Sequence, residues 1–131
     1  MKPVYNKLDV LKAFQGLNIK NGDSIFLTTN LGMLGMPDTK NKNLLLVSSI
    51  WILEVLKELI GKKGNIFVPT YSYSFTKKRK VFCPKSTRSD VGYFSNFFLK
   101  QKKIIRSNDP MMSIAGYGPN ARNILLKTSN N

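Results

Sequence analysis

Residues 70–74, Thr70-Tyr71-Ser72-Tyr73-Ser74, crowd hydroxyl side chains together directly behind an apolar run and Pro69. Hydroxyls at this density can donate to and accept from a polar ligand, and a strand end opening into such a loop is where α/β domains place their sites. The competing reading is an ordinary half-exposed strand running on to Phe75, because Thr, Tyr and Phe all suit a pleated surface. A second polar cluster, Thr28-Thr29-Asn30, leads into Leu31, Gly32 and Gly35. A glycine-containing loop after a strand can turn backbone N–H groups toward a phosphate or a carbonyl. The residues match neither the P-loop nor the dinucleotide fingerprint, and a plain connection is the alternative. The third candidate is a base. Of the 7 carboxylates, Asp9, Glu54 and Glu58 fall on helix patterns, Asp23 and Asp38 in turn contexts, and Asp90 where it would cap a helix. Asp109, in the polar turn Arg106-Ser107-Asn108-Asp109-Pro110, is the best placed for general-base work, against a structural role as a turn residue before proline.

What is missing narrows the chemistry further. There is no histidine, hence no imidazole base, no Cys–His or Ser–His pair and no His-containing zinc site. Cys83 is the single cysteine, which excludes an intramolecular disulfide and fits a reducing cytoplasm. No metal is expected. The N-terminus lacks the apolar core of a signal peptide, and the longest uncharged apolar run, residues 44–53, is too short to span a bilayer. A soluble cytoplasmic protein without a membrane partner is expected. The 21 Lys and Arg against 7 Asp and Glu give a net charge of +14 on 131 residues. Such a balance favours anionic partners in general, whether phosphates, CoA-type cofactors or nucleic acid. Lys77, Lys78, Arg79 and Lys80 form the densest basic run, read either as a phosphate contact or as a solvated loop.

Several elements must position these groups. Asn6 caps a helix over residues 7–17 with Leu8, Leu11, Phe14 and Leu17 on one face. Residues 24–28 read as a first strand, 29–37 as a loop, and 43–60 as a helix apolar nearly all round, with an i, i+4 pair between Glu58 and Lys62. Residues 65–68 make the second strand, and Pro69, with no N–H to donate, ends its regular pairing. A parallel crossover through the long helix would bring the 28–35 and 69–75 loops to one side of a single sheet. Ser89 or Asp90 caps a helix that buries Val91, Phe94, Phe97 and Phe98. Ile104-Ile105 and residues 112–117 are short strands, and Pro119 opens a last helix over 120–126. The order of elements predicts an α/β fold, a layered sheet with flanking helices.

Four segments, in order along the chain, resemble the aminoglycoside 3-N-acetyltransferases. Thr28-Thr29-Asn30-Leu31-Gly32-Met33-Leu34-Gly35 is similar to that family's His-Ser-Ser-Leu-x-x-x-Gly loop. Pro69-Thr70-Tyr71-Ser72-Tyr73-Ser74-Phe75 resembles its Pro-Thr-aromatic-(Thr/Ser)-Tyr-Ser-Phe stretch, and Thr87, Ser89, Val91 and Gly92 its Thr-x-Ser-x-Val-Gly element. The run from Arg106 to Gly118 is similar to Arg-Ser-x-His-Pro-x-His-Ser-Val-Ala-x-x-Gly. The resemblance implies the N-terminal portion of that fold, with acetyl transfer from acetyl-CoA to an amine of an aminoglycoside or amino sugar. It places Thr28, Thr29, Asn30, Leu31, Gly35, Pro69, Thr70, Ser72, Val91 and Gly92 at the cofactor and Asp109 at the catalytic position. The Asp-Pro in place of His-Pro is similar to members associated with sugar N-acylation in surface-polysaccharide synthesis.

Thr28, Asp109 and Met112 stand where the resistance enzymes carry histidine, and methionine cannot act as a base. Family members are about twice as long, so residues 1–131 are expected to form one truncated acetyltransferase-like domain, weakly active or inactive alone. A missing C-terminal half or a homo-oligomer would then cover apolar surface left open between 47 and 60 or between 94 and 98. The alternatives are a basic nucleic-acid-binding module, which lacks any RNP, helix-turn-helix or zinc-finger pattern, and an inactive structural remnant.

Overall fold

The computed structural model describes residues 4–74, 76 and 80–127; Phe75 and the basic residues Lys77, Lys78 and Arg79 lie outside the described residues. The chain runs β1 (Val4–Tyr5), α1 (Lys7–Gly16), β2 (Ser24–Phe26), a single 3₁₀ turn (Leu31–Met33), β3 (Met36–Pro37), α2 (Leu44–Ile60) and β4 (Asn65–Pro69). It continues through α3 (Tyr93–Leu99), β5 (Ile105–Arg106), β6 (Ile114–Tyr117) and α4 (Ala121–Lys127). The central sheet has the order β2-β4-β6-β5, with β2 and β4 parallel and the other two pairs antiparallel. β1 and β3 form a separate parallel pair. The α/β reading with flanking helices holds.

α2 is the crossover between β2 and β4, and its composition explains its place. Helical spacing of Ile52, Leu53, Leu56 and Ile60 makes a broad apolar face that covers Ile25, Ile66, Val68 and Ala115 of the sheet, while Phe94 and Phe98 of α3 complete this core. Asn43 caps α2 by accepting the Leu46 N–H at 3.1 Å, and Gly61 at φ 65 closes it. The opposite sheet face is covered by α4. Gly116 there has no room for a Cβ, which would meet Leu125 Cδ1 at 2.9 Å and the Phe67 ring at 3.0 Å.

Five expectations are corrected. Pro69 belongs to β4 and sits opposite Ile114. The next N–H, that of Thr70, donates to Ser113 O at 2.9 Å. Position 69 therefore turns its missing donor toward β2, where the parallel ladder closes at Phe26↔Phe67. On α1 it is Val10 and Phe14 that pack on the core, whereas Leu8 and Leu17 are exposed. α3 begins after Gly92 with no side-chain cap, because Ser89 and Asp90 bond elsewhere. The Glu58–Lys62 pair does not form; among the described residues the one ion pair joins Lys7 to Glu54. Finally, the stretches expected to be left partly open are mostly covered, with Trp51 and Phe97 half-buried. Leu56, Ile60, Phe94 and Phe98 are fully buried, and the open apolar side chains lie at Leu17, Phe26, Met33 and Val81 instead.

A β-branched side chain at position 116 should lift α4 from the sheet. Gly116→Val is expected to cost about 1–3 kcal/mol through overpacking, read as a lower thermal midpoint. An unchanged midpoint would mean that α4 is not seated there.

Candidate functional site

The strand-end loops do leave the same edge of the sheet, because β2 and β4 are parallel neighbours. They take different roles. Thr28 and Asn30 are exposed and Thr29 half-buried. Together they rim a cleft of about 530 Å³ whose walls include Leu27, Leu34, Phe14 and Ile52. Leu31 points into the core, and Gly35 takes φ 96 just before β3. The cleft is thus a mainly apolar slot edged by Thr28, Thr29 and Asn30, with Tyr5 and the Asp9 carboxylate, which accepts the Asn6 N–H, also in its lining; such a combination suits a chain carrying amide or carbonyl groups.

The second loop turns inward. Thr70 and Ser72 are fully buried. Thr70 Oγ1 lies 3.0 Å from Ser113 Oγ and 3.1 Å from Ser113 O, to which it donates. Ser113 Oγ is 2.8 Å from Thr70 O. Ser72 Oγ donates to Ser74 Oγ at 3.0 Å and accepts the Ser74 N–H at 3.2 Å. Ser95 Oγ donates to Pro69 O at 2.9 Å. These hydroxyls replace the backbone partners that a continuing strand would have supplied. The reading of a strand running to Phe75 gives way to an irregular segment whose Thr70 and Ser72 N–H groups still reach Ser113 O and Met111 O.

Holding this corner together is Arg106, which sequence reasoning placed only in a polar turn. Its guanidinium is buried. Nε donates to Ser113 Oγ at 3.0 Å and NH2 to Thr70 O at 2.8 Å. NH1 donates to Pro84 O and, more tightly, to Thr87 O, and the Phe82 ring lies 4.9 Å from the guanidinium carbon. Burial pulls the Arg106 pKa below its ordinary value, opposed by the nearby Cys83 sulfur. The usable signal was alternation: Arg106 follows Ile105 in a short strand, so its side chain shares the face of Ala115, its register partner.

Ser89 and Asp90 tie the next segment to the same corner. Asp90 N–H donates to Tyr71 O at 2.8 Å, and its carboxylate accepts the Tyr73 N–H at 2.7 Å. Ser89 Oγ accepts the Val91 N–H at 3.1 Å. Asn96, reaching back from α3, donates to Ser89 O and Gly92 O and accepts the Ser89 N–H. Val91 is half-buried and Gly92 exposed, and neither lines the Thr28–Asn30 cleft. Asp109 is exposed, and its Oδ1 accepts the N–H groups of both Met111 and Met112 at 2.8 Å. Those two donors stabilise the carboxylate and hold its pKa below the ordinary range. The sequence candidates therefore occupy four places: an open cleft at Thr28–Asn30, a buried corner at Pro69–Ser72, the Val91–Gly92 segment before α3, and an exposed turn at Asp109.

The sequence profile described as aminoglycoside 3-N-acetyltransferase matches residues 46–131. The chain belongs to the aminoglycoside 3-N-acetyltransferase family. Solved members of this family have the same fold. The aminoglycoside acetyltransferase AAC(3)-Xa superposes with a TM-score of 0.76 at 16% identity, over 93% of this chain and 46% of that one. AAC-VIa, solved with sisomicin bound, gives 0.74 at 16% identity over 94% and 49%. AAC-IIIb, solved as a binary complex with CoASH, gives 0.74 at 16% over 94% and 49%. The chain thus spans about half the length of these aminoglycoside 3-N-acetyltransferase structures. No curated protein sequence matches it.

Two predictions follow from the corner and the turn. Arg106→Met removes the charged donors from Ser113 Oγ and from the carbonyls of Thr70, Pro84 and Thr87, at about 1.5–3 kcal/mol for each such hydrogen bond lost. Arg106→Lys should not restore urea resistance, since an ammonium cannot fork between them; full rescue by lysine would refute the bridging role. For Asp109 the folded pKa lies below the unfolded value of about 3.9, so its contribution is present above that value and is lost as pH falls through the folded one. The stability gap between the wild type and Asp109→Ala should persist from neutrality to about pH 4 and close below it. A gap that widens on acidification would contradict the assignment.

Proposed function

We propose that residues 1–131 act as one acetyltransferase-like domain, the donor-binding portion of an acetyl-CoA-dependent N-acetyltransferase. Its acceptor would be an amine of an aminoglycoside or amino sugar. The observation that carries this reading is the apolar slot rimmed by Thr28, Thr29 and Asn30, in a chain of this family with solved relatives that hold CoASH and sisomicin. In this reading the slot takes the pantetheine arm. Thr28, Thr29 and Asn30 meet its amides, and Leu34 and Phe14 flank its methylenes. Pro69, Thr70 and Ser72 shape the neighbouring edge from within rather than touching the donor through their hydroxyls. The protein works in a reducing compartment such as the cytoplasm, which keeps the exposed Cys83 a thiol.

Acetyl transfer forms a C–N bond as the amine lone pair attacks the thioester carbonyl carbon. The C–S bond then breaks, CoA leaves as thiolate, and one amine proton must pass to a base. This chain offers no imidazole. Asp109 holds the Met111 and Met112 N–H groups on Oδ1, and the lowered pKa that they cause makes it a weak base. We therefore propose that this chain binds the donor well and turns it over poorly.

Isothermal titration should show acetyl-CoA binding to the wild type. The double variant Thr28→Val with Asn30→Ala should bind about tenfold more weakly, as loss of two hydrogen bonds implies. An assay with aminoglycoside and amino-sugar acceptors should give only slow turnover. Absence of acetyl-CoA binding would sink the proposal; fast turnover abolished by Asp109→Asn would overturn the part concerning the base.

A further inference from the structure

A second cleft, of about 520 Å³, lies between residues 84–88, the end of α3, β5 and α4. Its lining carries Lys85, Arg88, Lys100, Arg106 and Arg122 and no carboxylate. None of these cations forms an ion pair among the described residues. Arg106 is buried beside it, and its partners are hydroxyl and carbonyl oxygens, which satisfy the N–H groups without cancelling the charge. The nearby acid in sequence, Asp90, does not line this cleft; its carboxylate accepts the Tyr73 N–H. Several like charges around a low-dielectric wall focus a positive potential into the space between them. That wall includes Ile104 and Leu126.

A small inorganic anion would use the charges and leave the apolar wall bare, whereas a neutral ligand would do the reverse. The volume suits a nucleotide-sized body. We propose that this cleft binds a nucleotide bearing more than one phosphate group, its base against Ile104 and Leu126 and its phosphates among Lys85, Arg88, Lys100 and Arg122. A free nucleotide and the nucleotide end of CoA share this chemistry. For a free nucleotide the inference stands apart from the acyl-transfer reading; for the nucleotide end of CoA it rests on that reading.

The probes are ADP, adenosine, acetyl-CoA and a single-stranded oligonucleotide, each titrated calorimetrically into the full chain. ADP should bind and adenosine should bind far more weakly. The exposed-residue double variant Lys100→Gln with Arg122→Gln should weaken ADP by at least about tenfold. Lys12→Gln with Lys20→Gln, which removes the same charge on the α1 side, should leave ADP affinity unchanged. Competition between ADP and acetyl-CoA would support the cleft as the seat of the CoA nucleotide; independent binding of the two would support a free nucleotide there. An acetyl-CoA failure with ADP still bound would remove the acyl-transfer reading and leave this one standing. No ADP binding, an equal loss in both double variants, or displacement of ADP by the oligonucleotide at far lower concentration would overturn it.

Discussion

A buried guanidinium that answers to no carboxylate sets the terms for this fold. Arg106 is desolvated, and removing a charge from water is costly unless hydrogen bonds replace its hydration. The replacements come from three separate stretches of chain: Thr70 after β4, Ser113 before β6, and Pro84 and Thr87 in the segment leading to α3. None of these stretches is regular secondary structure, so none could hold its position through a ladder of its own. The cation supplies the geometry that the backbone lacks. Thr70 and Ser113 then pair their hydroxyls beneath it, and Ser95 secures Pro69 from the side of α3. One side chain of β5 thereby ties three irregular stretches to the sheet.

This division also explains what was legible in the sequence. α2 and β4 were readable because their burial repeats with the helix and strand periods, and a solvent-excluded core leaves few alternatives to Ile52, Leu56, Ile60 and Ile66. The α/β layering followed from them. β1 and β3 were not readable, since two-residue strands such as Val4–Tyr5 and Met36–Pro37 carry no periodicity. Ser89 and Asp90 looked like caps because capping is the commonest local use of those side chains, yet Tyr71 and Tyr73, far away in sequence, offered partners that a local pattern cannot reveal. Leu8 and Leu17 completed a convincing apolar stripe, but on α1 it is Val10 and Phe14 that pack against the core.

The candidate site was half legible for the same reason. Hydroxyl crowding at 70–74 pointed to a ligand loop, yet Thr70 and Ser72 are buried and bond within the protein, whereas Thr28-Thr29-Asn30 lies at the rim of an open cleft. What composition could not tell was direction. A serine that faces a ligand and a serine that replaces a missing ladder bond are the same letter. Ser72 is of the second kind, whereas Thr28 and Asn30 are available to a ligand. The family relationship identifies the fold over roughly half of each solved relative, and the geometry separates exposed polar groups at the cleft rim from buried ones bonded within the protein.

Tyr5 gives the slot an optical property. Its hydroxyl lies 2.6 Å from Ser48 Oγ, and its ring stands edge-on to Trp51 with centroids 6.2 Å apart. Tyr5 also lines the slot, together with Ile52, the residue after the tryptophan. Trp51 is the single indole in the chain. Its emission therefore comes from one environment, one ring removed from the space where a ligand would lie. Occupancy of the slot would be reported by a native fluorophore, with no label and no signal from the distant basic cleft to disentangle.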